Sequence, residues 1–169
     1  LVGAEGTLAF VTEIEWRLDA IPPARAALRV DLADLETLGE AVSALTRLRP
    51  VALELLDRTF LDLVLSSRPE ASLPEIPAAA QAILLVEFEG ADPKVLRGII
   101  GDAVRAVEPW AIAVATALTE AEERDLWALR KAASPILAGL PESRRSMQVI
   151  EDGCVPVPRL GEYVRFIRS

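Results

Sequence analysis

At 169 residues, 51% of them hydrophobic, the chain is long enough for a single domain with a sizeable core. Its net charge of −8 offers no basic face to nucleic acid or an anionic membrane, and no apolar run approaches the ~20 residues that cross a bilayer. One cysteine and no histidine rule out an internal disulfide, a cysteine or histidine zinc site, and the commonest proton-transfer group near neutral pH; a soluble, cytoplasmic protein without a metal site is expected.

In chain order, the first feature is a turn, Gly3-Ala4-Glu5-Gly6-Thr7-Leu8. It runs into an alternating segment in which Phe10, Thr12, Ile14, Trp16 and Leu18 are set against their neighbours. Alternation predicts a strand, and glycine lets a turn bring its backbone close to a ligand; the same turn also reads as an ordinary loop. Asp19-Ala20-Ile21-Pro22-Pro23 is a linker, because paired prolines resist both helix and strand.

Beyond the linker the chain divides into two similar halves. Ala27–Leu32 predicts a strand, and Asp34 a cap for a helix with Leu35, Leu38, Val42, Leu45 and Leu48 on one side. Pro50 stops it, Val51–Leu56 predicts a second strand, and Asp57 opens a short helix through Phe60, Leu61, Val64 and Leu65. Ser66–Pro77, with three prolines, is a solvated loop. The second half opens with a strand at Ile83–Phe88. Asp92 and Pro93 supply the cap and first residue of a helix that turns Val95, Leu96, Ile99, Ile100, Ala103 and Val107 inward. Pro109 ends it before a fourth strand, Trp110–Thr116.

Thr119 and Glu122 form a capping box for a third long helix, Glu120 to about Leu137. A loop, a strand at Met147–Ile150, a turn at Glu151–Cys154 and an amphipathic helix from Pro158 follow. Cys154 reads as a small buried hydrophobe. Two βαβ units of this kind predict an α+β fold, a ferredoxin-like split βαβ antiparallel sheet with helices packed on one face, plus an extra C-terminal helix–strand–helix.

Three stretches carry a resemblance. Gly3 to Glu13 is similar to the segment, often written G-S-E-G-T-L-G-I-I-T-E, that closes the FAD-binding domain in FAD-linked oxidases of the vanillyl-alcohol oxidase type. Leu126-Trp127-Ala128-Leu129-Arg130-Lys131 resembles the L-W-x-L-R-K/E helix of their C-terminal, substrate-covering (cap) domain. Glu151-Asp152-Gly153-Cys154-Val155-Pro156-Val157-Pro158-Arg159-Leu160 resembles its E-D-x-x-V-P-x-x-R-L stretch. Order and spacing agree along the whole chain, and the likeness is to members of the glycolate oxidase, D-lactate dehydrogenase and D-2-hydroxyglutarate dehydrogenase types.

The resemblance implies that residues 1–22 are the terminal strand and linker of a truncated FAD-binding domain, and 23–169 a substrate domain cut short at its C-terminus. Gly3, Glu5, Gly6 and Thr7 would lie against FAD, bound by the full-length protein and absent from this fragment. Arg130 would hold the carboxylate of a 2-hydroxy acid through two parallel charge-assisted hydrogen bonds. Ser134, one turn later on the same face, would add another bond. The full-length enzyme would oxidise the hydroxy acid to the 2-oxo acid, with an iron–sulfur centre among its electron acceptors. No catalytic residue is assigned here, since the proton-removing group would lie outside this chain, and the fragment alone is expected to be inactive. Hydroxyglutarate-type relatives carry a substrate lysine where this chain has Ile150, which leaves recognition of a second carboxylate open.

Plainer readings stand beside these. Arg130 also reads as a surface or structural ion pair, with Glu123 a nearby partner, and Ser134 as a simple helix residue. Glu151-Asp152 is a solvated strand end or an orienting pair. Glu54, Asp57, Glu87 and Glu89 form the wet face of the sheet; Trp16, Trp110 and Trp127 are core residues; Arg144-Arg145 is an exposed pair. The competing view of the whole chain is a non-catalytic ferredoxin-like module for ligand sensing or oligomerisation.

Overall fold

The computed structural model of the chain describes residues 1–67, 75–144 and 153–168. Four strands, β1 (Ala24–Leu32), β2 (Ala52–Asp57), β3 (Ala82–Gly90) and β4 (Ala111–Ala117), form one sheet in the order β2-β3-β1-β4. Every neighbouring pair is antiparallel, with Leu28 opposite Val86, Glu54 opposite Leu85 and Ala27 opposite Ala117. The helices are α1 (Leu38–Thr46), α2 (Arg58–Ser67), α3 (Pro93–Val107), α4 (Glu120–Ala138) and α5 (Leu160–Arg168). This is the expected α+β, split βαβ arrangement, with α1 and α3 as the two crossovers.

Alternation along β1 explains the layering. Ala26, Leu28, Val30 and Leu32 point to one side, where Leu84, Val86 and Phe88 of β3 join them against Leu38, Val42 and Leu45 of α1 and Leu96, Ile100 and Val107 of α3. The opposite side is covered too. There Leu56, Ile83 and Leu85 pack against Leu61 and Val64 of α2 and Leu129 and Ala132 of α4. The crossover helices share one face as expected, and the short α2 and the added α4 fill the other.

Helix starts follow from local chemistry. The Asp92 carboxylate accepts the Lys94 N–H at 2.8 Å, with Pro93 as first helical residue. Thr119 and Glu122 make a reciprocal capping box for α4. Asp34 acts differently from expectation: its carboxylate takes the Thr37 N–H and hydroxyl at 3.0 and 3.1 Å. That closes a separate turn, so α1 begins at Leu38 rather than just after Asp34. Close packing of α1 with α5 depends on glycine. A Cβ at Gly161 would sit 3.1 Å from the Leu35 carbonyl oxygen, and one at Gly39 would sit 3.2 Å from that of Val157.

Three further expectations are corrected. The alternating segment from Phe10 to Leu18 is not a strand, and Phe10, Ile14, Trp16 and Leu18 stand in solvent. Alternation supplies two faces but not a neighbouring strand, and no strand of this sheet pairs with the segment. Trp16 is therefore not a core residue, whereas Trp110 and Trp127 are partly buried against the two cores. Cys154 is exposed, because it lies in an irregular stretch outside either core. The expected strand at Met147–Ile150, together with Arg145, Glu151 and Asp152, falls outside the described residues. Among the described residues no helix is long and apolar enough to cross a membrane.

Candidate functional site

Helix α4 crosses the sheet on the α2 side. Glu123, Trp127 and Arg130 recur at four- and three-residue spacing, so they share one stripe of the helix. Opposite them, the odd residues of β1 and β3 and the even residues of β2 bring Arg25, Glu87, Glu89 and Glu54 to the same side of the sheet. The groove between helix and sheet edge is thus lined with charge, although the face beneath it is apolar around Leu85 and Leu129.

Arg130 sits towards one end of this stripe. Its Nε donates to Oε2 of Glu54 at 2.5 Å, and the two side chains are 44% and 39% exposed, so the pair is open to solvent and to an incoming molecule. The structural partner is thus Glu54, 76 residues away in sequence, and not Glu123 on the same helix. Ser134 lies one turn further along α4, but its side chain is outside the described residues.

Towards the other end, Arg25 contacts Glu89 at 2.9 Å and Glu87 at 3.9 Å. Burial pushes the Glu87 carboxyl above the usual carboxylate range, helped by the negative charges of Glu123 and Glu89. The Arg25 guanidinium and a hydrogen bond from Trp127 pull the other way. A concavity of about 520 Å³ opens beside this end, with Pro22, Pro23, Arg25, Leu118, Glu120 and Glu123 in its wall.

A second charged pair lies deeper on the same face. Arg29 Nη2 donates to Asp31 Oδ2 at 3.0 Å and to the Glu75 carbonyl at 2.9 Å. Both side chains are buried, and Arg29 Nε and Asp31 Oδ1 find no partner among the described residues. Burial raises the Asp31 carboxyl, against the opposing attraction of Arg29. Neither residue stands out in the sequence; the signal available is two charges, Arg29 and Asp31, within the run Ala26–Leu32 whose other positions are all apolar.

The remaining carboxylates divide by role. Glu54, Glu87 and Glu89 line the groove, while Asp57 accepts the Phe60 N–H at 3.0 Å and so starts α2.

Gly3, Glu5, Gly6 and Thr7 stand apart from this groove. Gly3, Glu5 and Gly6 take positive φ angles of 79°, 47° and 75°. The turn is closed by Thr7, whose N–H and hydroxyl both donate to the Ala4 carbonyl, at 2.8 and 2.6 Å. Nothing lies within 4 Å of where a Cβ would stand on either glycine, so the backbone is open to a flat ligand. To that extent the turn fits one wall of a flavin site. None of residues 1–21 is buried, so the structure does not bring this turn against α4. Among the described residues, no cluster of three or more His, Cys, Asp or Glu could hold a metal ion.

Residues 21–169 match the sequence family described as FAD linked oxidases, C-terminal domain. The chain belongs to that family. FAD-linked oxidase relatives are found along its full length. Glycolate oxidase subunit GlcD of Bacillus subtilis is 30% identical over 170 residues, covering 99% of this chain and 34% of its own. D-lactate dehydrogenase of Anaerostipes hadrus is 28% identical over 180 residues, covering all of this chain and 36% of its own. D-2-hydroxyglutarate dehydrogenase of Escherichia coli is 25% identical over 185 residues, again covering all of this chain but only 18% of its own. This FAD-linked oxidase C-terminal domain therefore spans about a third, or less, of these relatives.

Proposed function

We propose that this chain is the substrate-covering part of an FAD-dependent oxidoreductase that converts a 2-hydroxy acid to the 2-oxo acid, with Arg130 anchoring the substrate carboxylate. Residues 1–22 belong, in this reading, to the flavin-binding domain, and 23–169 to the substrate domain. The observation that carries it is the guanidinium of the L-W-x-L-R helix, held at the solvent-accessible lip of the α4 groove in a chain of this family.

The oxidation removes two hydrogens, one from C2 and one from the hydroxyl. FAD, when bound, supplies the two-electron acceptor. The chain's own contribution is to fix the acid by its carboxylate, with Ser134 as a further donor, and to exclude water beneath the α4 groove. Histidine is absent, so a histidine that takes the hydroxyl proton would lie outside this chain. The Gly3–Thr7 turn lends its open backbone to one side of the flavin. Passage of electrons to an iron–sulfur partner and a cytoplasmic location complete the reading.

The test uses the flavoprotein that carries this chain. Arg130→Ala is expected to raise KM for lactate or glycolate at least ~100-fold, the loss of a charged bidentate contact, and Arg130→Lys to recover only part. Unchanged KM and kcat in both variants would return Arg130 to a surface ion pair, as in the non-catalytic module reading. The isolated 169-residue chain should purify without flavin absorbance near ~450 nm and without activity, since its one flavin-facing turn is a single wall of a site.

A further inference from the structure

Resting on that reading of Arg130, we infer that Glu54 is the positioning and specificity residue of the anchor, tuning the site for acids with a single carboxylate. A guanidinium can meet a carboxylate on either of two edges, Nε with one terminal nitrogen or the two terminal nitrogens together. Glu54 accepts from Nε, so an incoming carboxylate is directed to the terminal edge. Glu54 is well placed for this. It sits within the β2 ladder opposite Leu85, so its backbone is fixed by the sheet, and it reaches Arg130 across the groove from the helix. A carboxylate on a rigid strand thereby orients a guanidinium on a helix, two elements that share no local sequence.

The charge around the anchor sets the selectivity. Among the described residues, five carboxylates, Glu54, Glu87, Glu89, Glu120 and Glu123, lie along the groove and its concavity, against three guanidinium groups, Arg25, Arg124 and Arg130. Arg25 is already engaged by Glu89 at 2.9 Å and Glu87 at 3.9 Å. A first substrate carboxylate finds the terminal edge of Arg130. A second one, carried a few bonds away, enters a stripe with two more negative than positive charges and is repelled. Glu54 is the carboxylate nearest the anchor and contributes most to that repulsion.

The experiment compares kcat/KM for lactate and for 2-hydroxyglutarate in the full flavoprotein and its variants. Glu54→Gln keeps an oxygen acceptor for Arg130 but removes the charge. It is expected to lower the preference for lactate over 2-hydroxyglutarate about tenfold, the effect of one charge at near-contact range in a partly solvated groove. Glu54→Asp keeps the charge but shortens the reach. It should raise KM for both acids while leaving their ratio as in the parent, a split that a merely structural role would not produce. A preference unchanged in Glu54→Gln would overturn the inference. If Arg130→Ala still raises KM in that case, only the role of Glu54 fails; if Arg130→Ala changes nothing, the anchor itself fails.

Discussion

The two faces of the sheet are built from the same four strands and yet solve different problems. Towards α1 and α3 the strands present aliphatic side chains, among them Leu28, Val30, Leu84 and Val86, each 0% exposed. Towards α2 and α4 the apolar patch around Ile83, Leu85 and Leu129 is smaller, and charged residues surround it: Arg29 and Asp31 buried, Arg25, Glu54, Glu87 and Glu89 at the groove. Hydrophobic burial is non-directional and needs only area, so the first face can hold the fold together alone. Charge beside a sheet needs named partners, and those partners are specific in a way aliphatic packing is not. The face with the smaller apolar patch is the one that carries the proposed groove.

The largest expected effect tests whether that division is real. Asp31→Leu alone leaves Arg29 buried with no carboxylate, and should destabilise the chain by ~3–5 kcal/mol. Replacing both, as Arg29→Met with Asp31→Leu, removes the orphaned Nε and Oδ1 together and should recover most of that loss. Urea denaturation at neutral pH measures both. A harmless single change would mean that solvent reaches the pair and that the charged face is wetter than its burial implies.

A smaller effect is expected at the start of α4, the helix that carries the groove. Thr119→Ala removes the acceptor for the Glu122 N–H and should cost roughly 1 kcal/mol. Glu122 itself is held below the usual carboxylate range, chiefly by the Leu118 N–H and then by Thr119. A lowered folded value means its contribution is present above the unfolded pKa and is lost as pH falls through the folded one. Glu122→Gln should therefore flatten the acid limb of the stability curve, read by thermal melts from neutrality down into the acid range. An equally steep limb in the variant would assign acid sensitivity elsewhere.

How much of this was legible beforehand follows the range of each interaction. The caps at Asp92-Pro93 and Thr119-Glu122 involve residues at most three apart, and both appear where the sequence puts them. The strand order follows from two crossovers of similar length. The meeting of Arg130 with Glu54 spans 76 residues. It depends on α4 crossing the sheet from β4 and β1 towards α2, which no local pattern encodes; the alternation of β2 shows only that Glu54 and Leu53 face opposite ways. Arg29 and Asp31 alternate with Leu28, Val30 and Leu32, the pattern of a strand with one wet face, so the pattern gives no sign that both charges are buried. Residues 10–18 had the period of a strand but no partner among the strands of this sheet.

The finest test concerns Glu87, the groove carboxylate whose surroundings most oppose its charge. Burial, then the neighbouring Glu123, raises its pKa from the ordinary 4.5. For a raised folded value the sign is opposite to that of Glu122: the favourable contribution is complete below the unfolded pKa and is lost as pH rises through the folded one. Glu87→Gln removes this titration while keeping an oxygen that can accept from Trp127. Arg25 retains Glu89 at 2.9 Å, so no cation is stranded by the change. The variant should gain stability relative to the parent progressively as pH climbs above 4.5, and the two should converge below it. Paired denaturation curves at several pH values would show that divergence. Parallel curves would mean that the charge of Glu87 is fully compensated, and that the groove resists a second carboxylate less than its list of acids suggests.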